Sequence, residues 1–317
     1  MKVFILKSIF FALPIALGLV FVDYKLTSAL RLSQKADYAV WNDIFNNNIK
    51  EDIFIYGSSR AWVQFNPKIL EDSLGLSVYN FGMDGYRFKM QYYRHLLLLK
   101  YSKQPKCIIH SLDFNTFEKQ TELYNAKQFL PYIRNEEIRI ATRYYKGFDI
   151  YDYNLPYVRY HGQSQAIYHG LGILLLPSSN SKDRYKGFQA QNREWNDDLA
   201  NAKLANSSYN VVIDDAIVSL FESYIQDLKN KNIQLILVYS PEYKEGQQYV
   251  RNRNSVMLLY KNIARKYNVP LIDYTDSSIC GDKSKYYNSM HLNKIGSNIF
   301  SKQLAHSLKY NYLANHE

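Results

Sequence analysis

The chain has 317 residues, of which 47% are hydrophobic and 21% are charged. That composition is typical of a globular protein with a substantial core, and it excludes wholesale disorder. The formal net charge is +10, but the lysines and arginines are scattered and no run of five like charges occurs, so we expect no nucleic-acid partner. A basic surface suits polyanionic glycans and anionic lipid head groups equally well.

The first 23 residues predict a membrane anchor or a signal peptide. Lys2 and Lys7 precede an uncharged apolar stretch, residues 8–22, which is long enough to span a bilayer if residues 3–6 extend it. Residues 27–29 resemble a cleavage site only weakly, so an uncleaved anchor is favoured. Positive charge on the short leading segment keeps that segment cytoplasmic. We therefore expect one pass through the cytoplasmic membrane, with the rest of the chain extracytoplasmic, in the periplasm or at the cell surface.

Beyond the anchor, residues 24–50 are typical of a polar, partly helical stalk, and residues 51–317 of one α/β domain. Within that domain, residues 116–213 are rich in tyrosine, asparagine and charge and show little periodicity. They predict a helical or loop insertion, packed over the site described below.

Outside the insertion, strand and helix patterns alternate. Apolar runs bounded by turn residues predict strands at 53–56, 76–81, 233–239 and 270–273, and a further strand that begins with residues 107–109. Helical patterns occupy 66–75, 88–101, 216–230, 247–267 and 294–310; the first begins at an Asn-Pro pair and closes at a glycine. Five strands separated by helices predict a doubly wound, flavodoxin-like parallel sheet with right-handed crossovers.

Polar residues cluster where these strands end, which is where ligands bind in such sheets. The positions are Ser58 and Ser59 after the first strand, residues 80–85 after the second, Asp113 and Asn115 after the third, Ser240 after the fourth and His291 after the fifth. Each has an ordinary explanation, as a helix cap, a turn or a structural histidine. Their common placement at the strand ends favours a ligand-binding or catalytic site there.

Acyl transfer through serine needs a hydroxyl at an exposed turn, an imidazole within reach, a group that orients the imidazole, and donors for an oxyanion. Ser59 offers a hydroxyl at a strand-to-helix turn, and His291 offers the imidazole. Gly82 and Gly85 permit a tight turn whose backbone can approach a ligand. The side chain of Asn115 can donate an N–H.

Four segments resemble the blocks of the SGNH/GDSL hydrolase superfamily: IFIYGSSRA at 53–61, VYNFGMDGY at 78–86, CIIHSLDFN at 107–115 and YYNSMHLN at 286–293. The resemblance implies that Ser59 is the nucleophile and His291 the base. It further implies that the Gly85 N–H and Asn115 stabilise the oxyanion. No metal-ligand spacing, phosphate loop or dinucleotide fingerprint is present, so we expect neither a cofactor nor a metal.

The chain departs from the family pattern at Asn288, where the family carries an aspartate, and in the third block, which keeps only its asparagine. In a serine protease the equivalent Asp-to-Asn change lowers kcat by about 10⁴, because it holds the wrong histidine tautomer. Three alternatives follow. A backbone carbonyl orients His291 in a Ser–His dyad, or Asp113 or Asp282 replaces the missing carboxylate, or the site is not catalytic.

The resulting hypothesis is a membrane-anchored serine esterase or O-acyltransferase that acts on a cell-envelope glycan. Its layout is similar to that of the alginate O-acetylation and teichoic-acid D-alanylation proteins, which implies a multispanning membrane acyltransferase as a partner. The alternative is a catalytically degenerate binding or assembly protein in polysaccharide export.

The insertion also carries aromatic and basic residues for which two interpretations are open. Tyrosine and tryptophan can stack on sugar rings but also fill small cores, and the second is favoured. The aromatic residues are Tyr132, Tyr144, Tyr145, Tyr157, Tyr160, Tyr168, Tyr185 and Trp195. Arginine and lysine can bind an acidic glycan, although solvated surface is their usual role. The basic residues are Arg143, Arg184, Lys186 and Arg193.

Overall fold

The computed structural model describes residues 1–176 and 184–312. The contacts divide the chain into two compact units. Met1–Asn46 and Thr121–Ser181 form the helical unit, and Asn47–Gln120 and Lys182–Glu317 form the sheet unit. The predicted insertion therefore contributes residues 121–181 to the helical unit and its remaining residues to the sheet unit. The domain boundaries given above stay a prediction.

The sheet unit is built on a five-stranded parallel sheet, which confirms the predicted α/β fold class. The strands of the described residues are β1 (Ile53–Tyr56), β2 (Val78–Asn80), β3 (Cys107–Leu112), β4 (Arg184–Tyr185), β5 (Phe188–Gln189), β6 (Gln234–Tyr239), β7 (Leu271–Asp273), β8 (Tyr286–Asn288) and β9 (His291–Leu292). The large sheet has the order β2-β1-β3-β6-β7, which is the flavodoxin-like order. The pairs β4-β5 and β8-β9 are small antiparallel hairpins.

Helices connect and cover the strands. The α-helices of the described residues are α1 (Lys2–Leu30), α2 (Ala36–Phe45), α3 (Ser59–Gln64), α4 (Pro67–Leu74), α5 (Phe88–Tyr101), α6 (Glu136–Thr142), α7 (Ile150–Asn154), α8 (Ser164–Leu175), α9 (Asp198–Ala205), α10 (Asp215–Asn230), α11 (Lys244–Tyr249), α12 (Arg253–Lys266) and α13 (Lys294–Asn311). Short 3₁₀ turns lie at Ala126–Tyr132, Val158–Tyr160, Ser278–Gly281 and Lys283–Lys285.

Both faces of the sheet are covered by helices, and alternate side chains of each strand point to opposite faces. On one face, Ile55 of β1 belongs to the apolar cluster that includes Phe300 of α13. On the other, His110 of β3 lies 5.4 Å from Phe221 of α10, measured between ring centroids. Continuous burial of β1 is what its unbroken apolar sequence predicts. Strand β3 is equally buried, although it includes His110 and Ser111.

The helical unit contains α1, whose residues 2–22 are all exposed. Helix α1 has 29 residues and includes an 18-residue stretch with a mean hydropathy of 2.4, so it is long and apolar enough to cross a membrane, a property that a signal sequence shares. One face of its last two turns is buried within the unit: Asp23 accepts a hydrogen bond of 2.7 Å from Arg159, and Leu26 packs against Gly170 of α8. The buried, paired Asp23 explains why a carboxylate ends the apolar stretch.

The predicted helix at 247–267 was wrong, because the chain breaks into α11 and α12. Val250 is extended at the break. Tyr209 N–H donates to the carbonyl of Tyr249, and Arg251 N–H donates to the carbonyl of Tyr209, at 2.8 and 2.7 Å. A long-range backbone bridge has replaced the local helical hydrogen bonds, and periodicity alone cannot show such a bridge.

The loop after β2 presses against the helix that begins with Ser59. Asn80 donates to the carbonyls of Ala61 and Phe65 and accepts from the Gly82 N–H, at 2.7, 2.8 and 2.8 Å. A Cβ at Gly82 would lie 2.2 Å from the backbone nitrogen of Trp62. Only glycine permits this approach, so the loop after β2 and α3 are held as one piece.

We predict that Gly82→Ala lowers the free energy of unfolding by about 3 kcal/mol, the upper range for overpacking a filled interior. Backbone atoms of Trp62 surround the new methyl group and cannot move aside. Denaturant unfolding of the full chain in detergent measures the change. Gly281→Ala is the matched control, since nothing lies within 4 Å of its added Cβ. Equal stability of the two variants would contradict the close packing described here.

Candidate active site

Ser59 is the first residue of α3, directly after the turn that ends β1. The turn depends on Gly57, whose φ of +141° is strained for any residue with a side chain. A Cβ at Gly57 would also lie 2.7 Å from that of Ala61. Because the turn is this sharp, the chain passes directly from a buried strand to the partly exposed hydroxyl of Ser59.

Arg60, the next residue, is completely buried and ties the serine turn to the ends of two other strands. Its guanidinium lies 2.9 Å from Glu242 and 3.3 Å from Asp113 and donates to the carbonyl of Ser240. Burial alone would lower the pKa of Arg60, but Glu242, Tyr239 and Asp113 outweigh that effect and raise it. The residue after the proposed nucleophile is thus fixed by two carboxylates.

The neighbouring Ser58 belongs to this buried network. Its hydroxyl donates to Oδ2 of Asp113, whose pKa is raised by burial against the opposing effects of Arg60 and Ser58. The two serines of the turn therefore have different surroundings: Ser58 faces the carboxylate of Asp113 and Ser59 faces an imidazole.

That imidazole belongs to His291, at the start of β9 in the β8-β9 hairpin. Gln64 of α3 donates to the carbonyl of Met290 at 3.0 Å, so the serine helix and the hairpin are joined directly. The ring of Tyr287 stacks on that of His291, with centroids 5.3 Å apart and planes 6° apart. These contacts hold the hairpin against the serine helix and fix the plane of the imidazole.

The structure brings Ser59, His291 and Asn288 into one chain of hydrogen bonds. Nε2 of His291 lies 2.8 Å from Oγ of Ser59, and Nδ1 lies 2.9 Å from Oδ1 of Asn288. A serine and a histidine 232 positions apart in sequence are therefore within hydrogen-bond distance. Neither the backbone-carbonyl alternative nor the carboxylate alternative describes what orients His291, because Asn288 itself occupies Nδ1.

The amide of Asn288 has one chemically consistent orientation. Its Oδ1 also accepts from the backbone N–H groups of Met290 and His291, at 3.1 and 3.0 Å. Three groups thus converge on one amide atom, two of them obligatory donors, so that atom is the oxygen. The third, Nδ1 of His291, must then carry its proton. That tautomer leaves Nε2 unprotonated and able to accept the hydroxyl proton of Ser59.

Sequence reasoning missed a further carboxylate, Asp198, the first residue of α9. The Nδ2 of Asn288 donates to Oδ2 of Asp198 at 3.1 Å. The chain of contacts therefore runs from Asp198 through Asn288 and His291 to Ser59. No sequence signal marks Asp198, because it lies 90 positions from Asn288, inside the predicted insertion.

Burial and the positive charge of Arg60 lower the pKa of His291 to about 3; Asp198 acts in the opposite direction, and Arg193 lowers the pKa further. The ordinary histidine pKa is about 6.5. His291 is therefore neutral at pH 7, which is the state that a general base requires.

The two predicted oxyanion donors lie in turns on either side of β1. Gly85, at a φ of +72°, follows β2, and Asn115 lies partly buried in the turn after β3. Gln120 joins these regions: it donates to the carbonyl of Gly85 at 2.9 Å and accepts from the N–H of Arg87. The N–H of Gly82 is used by Asn80. The roles of Gly85 and Asn115 stay a prediction.

Asp282, proposed above as a substitute carboxylate, instead caps a 3₁₀ turn by accepting from Ser284. Asp113 is bound to Ser58 and Arg60, so neither aspartate orients His291. Within residues 1–176 and 184–312, no group of three or more histidine, cysteine, aspartate or glutamate side chains could hold a metal ion.

The aromatic residues of the predicted insertion are divided between the two units and differ in burial. Tyr145 and Tyr160 are buried in the helical unit, whereas Tyr168 is 74% exposed. In the sheet unit, Trp195 packs edge-on against Tyr243 with ring centroids 4.9 Å apart. Of the others, Tyr132 is buried and Tyr157 is partly buried, whereas Tyr144 and Tyr185 are exposed.

Of the basic residues in the same segment, Arg193 has a position beside the site. Its guanidinium lies 5.7 Å from the centre of the Tyr287 ring, which in turn stacks on His291. Lys186 is paired with Glu51 and Glu71. Arg184 donates to the hydroxyl of Tyr79, and Arg143 donates to that of Tyr144.

No family model matches this chain, and neither does any curated protein. Solved structures similar to it include an acetyl xylan esterase, at a TM-score of 0.40 and 12% identity, covering 82% of this chain and 100% of that one. A GDSL-like lipase from Bacteroides thetaiotaomicron has a TM-score of 0.34 and 10% identity, with 86% and 99% covered. A Streptococcus pneumonia protein whose description names platelet activating factor has a TM-score of 0.42 and 13% identity, and the match covers 97% of this chain and 98% of that one. Likeness at this level carries no information on activity.

We predict that Arg60→Met lowers the free energy of unfolding by about 3–5 kcal/mol, because Asp113 and Glu242 would be left buried without their cation. Lys68→Met is the control, since its partner Asp72 is exposed and such pairs contribute about 0–1 kcal/mol. Denaturant unfolding of both variants in detergent provides the comparison. If Arg60→Met lowered the free energy of unfolding no more than the control does, the buried network would not be what fixes the serine turn.

Proposed function

We propose that this chain is a serine esterase or O-acyltransferase. The observation that carries the proposal is the hydrogen-bond chain from Ser59 through His291 to the oxygen of Asn288. It combines a hydroxyl at a sharp turn, a neutral imidazole with its free nitrogen toward that hydroxyl, and a group that holds the other nitrogen.

In the proposed reaction, Oγ of Ser59 attacks the acyl carbon of an ester while Nε2 of His291 takes the hydroxyl proton. The N–H of Gly85 and the side chain of Asn115 stabilise the resulting oxyanion. Collapse of the tetrahedral intermediate breaks the C–O bond of the ester. His291 returns its proton to the departing alkoxide oxygen, and the acyl group remains on Ser59.

The acyl-serine is then released by the reverse sequence. Water or a second hydroxyl gives its proton to Nε2 of His291 and attacks the acyl carbon. The bond between the acyl carbon and Oγ of Ser59 then breaks, and His291 returns the proton to Oγ. With water as the acceptor, the product is a carboxylic acid and the chain acts as an esterase. With a sugar hydroxyl as the acceptor, the product is a new ester and the chain acts as an acyltransferase. Both outcomes use the same residues, so the acceptor decides which activity results.

We place the substrate among the O-acylated glycans of the cell envelope, outside the cytoplasmic membrane. Support comes from the length and apolar character of α1, which would tether the chain. Further support comes from the resemblance of four segments of the chain to the blocks of the SGNH/GDSL hydrolase superfamily. Arg193 adds a positive charge beside His291 that suits an acidic glycan. As an acyltransferase, the chain would receive its acyl groups from a multispanning membrane acyltransferase.

A second candidate function is a binding or assembly protein in polysaccharide export that keeps the fold without the chemistry. The specific observation in its favour is the missing charge at position 288. An amide stabilises an imidazolium less than a carboxylate does, and in a serine protease the same change lowers kcat by about 10⁴. The orientation of the Asn288 amide argues against this function, because it holds the productive tautomer.

Fluorophosphonate labelling of the full chain in detergent distinguishes the two functions. We expect a covalent adduct that Ser59→Ala abolishes, because the probe reacts with an activated serine hydroxyl. Ser58→Ala is the matched control: it removes the adjacent hydroxyl, which faces Asp113, and should still label. The absence of a Ser59-dependent adduct, together with no turnover of aryl acetates, would favour the binding protein.

The low pKa of His291 predicts the pH dependence of the esterase. Because the imidazole stays neutral down to a pH of about 3, kcat/KM should remain level from pH 7 to pH 5. Asn288→Asp would place a carboxylate on Nδ1, raise the pKa of His291 and move the acid limb upward by about 1–3 pH units. At pH 8 this variant should match or exceed the wild-type rate.

Asn206→Asp adds the same charge at an exposed position of the sheet unit and should leave the profile unchanged. An acid limb near pH 6.5 in the wild type would contradict the neutral base. A sharp loss of rate in Asn288→Asp at pH 8 would show that the amide has another task.

A further inference from the structure

We propose that Asp198 is a positioning residue of this site, which fixes the amide of Asn288 and through it the tautomer of His291. The inference rests on the proposed function and deepens it. It gives the site an acidic member that acts through an asparagine, in place of an aspartate bound directly to the histidine.

An asparagine can orient a histidine in two ways, of which one is productive. With Oδ1 toward Nδ1 of His291, the ring carries its proton on Nδ1 and Nε2 can accept from Ser59. With Nδ2 toward Nδ1, the amide donates, the proton moves to Nε2, and the ring can no longer act as a base. An aspartate has two acceptor oxygens, so it does not present this problem.

Three groups of the described structure select the productive orientation. The N–H groups of Met290 and His291 require an acceptor on one side of the amide. On the other side, Oδ2 of Asp198 requires a donor and receives Nδ2 of Asn288 at 3.1 Å. A reversed amide would place its oxygen against this carboxylate and its NH₂ against two N–H groups. Asp198 provides the one contact made by a charged group.

Asp198 is itself held against the β8-β9 hairpin. Asn196 donates from Nδ2 to Oδ2 of Asp198 at 2.8 Å and accepts from the Asp198 N–H at 3.1 Å. The N–H of Asn196 donates in turn to the carbonyl of Tyr287 at 2.9 Å. The carboxylate is therefore linked through Asn196 to the strand that carries Asn288: the Asn196 side chain binds Asp198, and the Asn196 backbone binds the strand.

Orientation is the main effect of Asp198, and its charge is the lesser one. The residue is exposed, so solvent and salt screen its attraction for a protonated His291. A hydrogen bond to Asn288 needs only an acceptor at the right place. A neutral acceptor at position 198 should therefore preserve most of the effect, whereas deletion of the side chain should not.

The test uses the full chain in detergent and compares single and double variants. Asp198→Ala should lower kcat for an aryl acetate by about 10- to 100-fold, the range for partners that orient a functional histidine. KM should change by less than about 2-fold, since nothing that binds substrate is removed. Asp198→Asn, which keeps an acceptor, should lie between Asp198→Ala and the wild type. Asp197→Ala, at the adjacent exposed position on the same helix end, should behave like the wild type.

Asn288→Asp supplies the decisive background. A carboxylate at position 288 cannot be reversed, so Asp198→Ala should then cost less than about 2-fold in kcat, a strong departure from additivity. A purely structural role of Asp198 predicts the same loss in both backgrounds. An equal loss in both, or no loss in either, would overturn the proposal.

Histidine-selective ¹⁵N NMR gives a readout that does not depend on turnover. The signal of His291, assigned with a His291→Gln variant, should show a proton on Nδ1 in the wild type. It should show partial transfer to Nε2 in Asp198→Ala and recovery in the double variant. If the wild type lacked Ser59-dependent turnover, the proposed function would fail while these spectra still decided the role of Asp198. An unchanged tautomer in Asp198→Ala would overturn that role.

Discussion

The buried ion pairs of Arg60 are the constraint on which the site depends. A guanidinium with no exposure requires compensating charge, and the two carboxylates that provide it, Asp113 and Glu242, follow the adjacent strands β3 and β6. The residue that follows Ser59 is therefore connected to two other strand ends. Breaking such a network leaves buried charge behind, so the serine turn has little freedom to move.

The same cation also influences the chemistry of the site. Its positive charge, added to burial, keeps His291 neutral, and a neutral imidazole is the form that accepts a proton from serine. An asparagine at position 288 fits this arrangement, because it fixes the tautomer without adding a charge that would raise the pKa of the imidazole. The departure from the family pattern at Asn288 is thus chemically compatible with a working base.

Much of the sheet unit could be predicted because its signals are local. The apolar runs of β1, β3 and β6, and the Asn-Pro and glycine boundaries of α4, each reflect a few neighbouring residues. The break between α11 and α12 could not be predicted, because its cause is a backbone bridge from Tyr209. Likewise, local pattern does not separate the two cap-like serines 58 and 59. The family resemblance selected Ser59, and the structure shows that the two hydroxyls have different partners.

By itself, the sequence determined the order of the five strands of the large sheet, the apolar N-terminal helix and the strand ends at which polar residues collect. These follow from periodicity, turn residues and the rule that ligands bind at the carboxyl ends of parallel strands. Tertiary structure alone decided that Nε2 of His291 reaches Ser59, and that the amide of Asn288 presents its oxygen. It also decided that Asp198, 90 positions earlier, contacts that amide. The reason is physical: hydrogen-bond direction and charge compensation are properties of groups brought together in space, and residue order does not encode them locally.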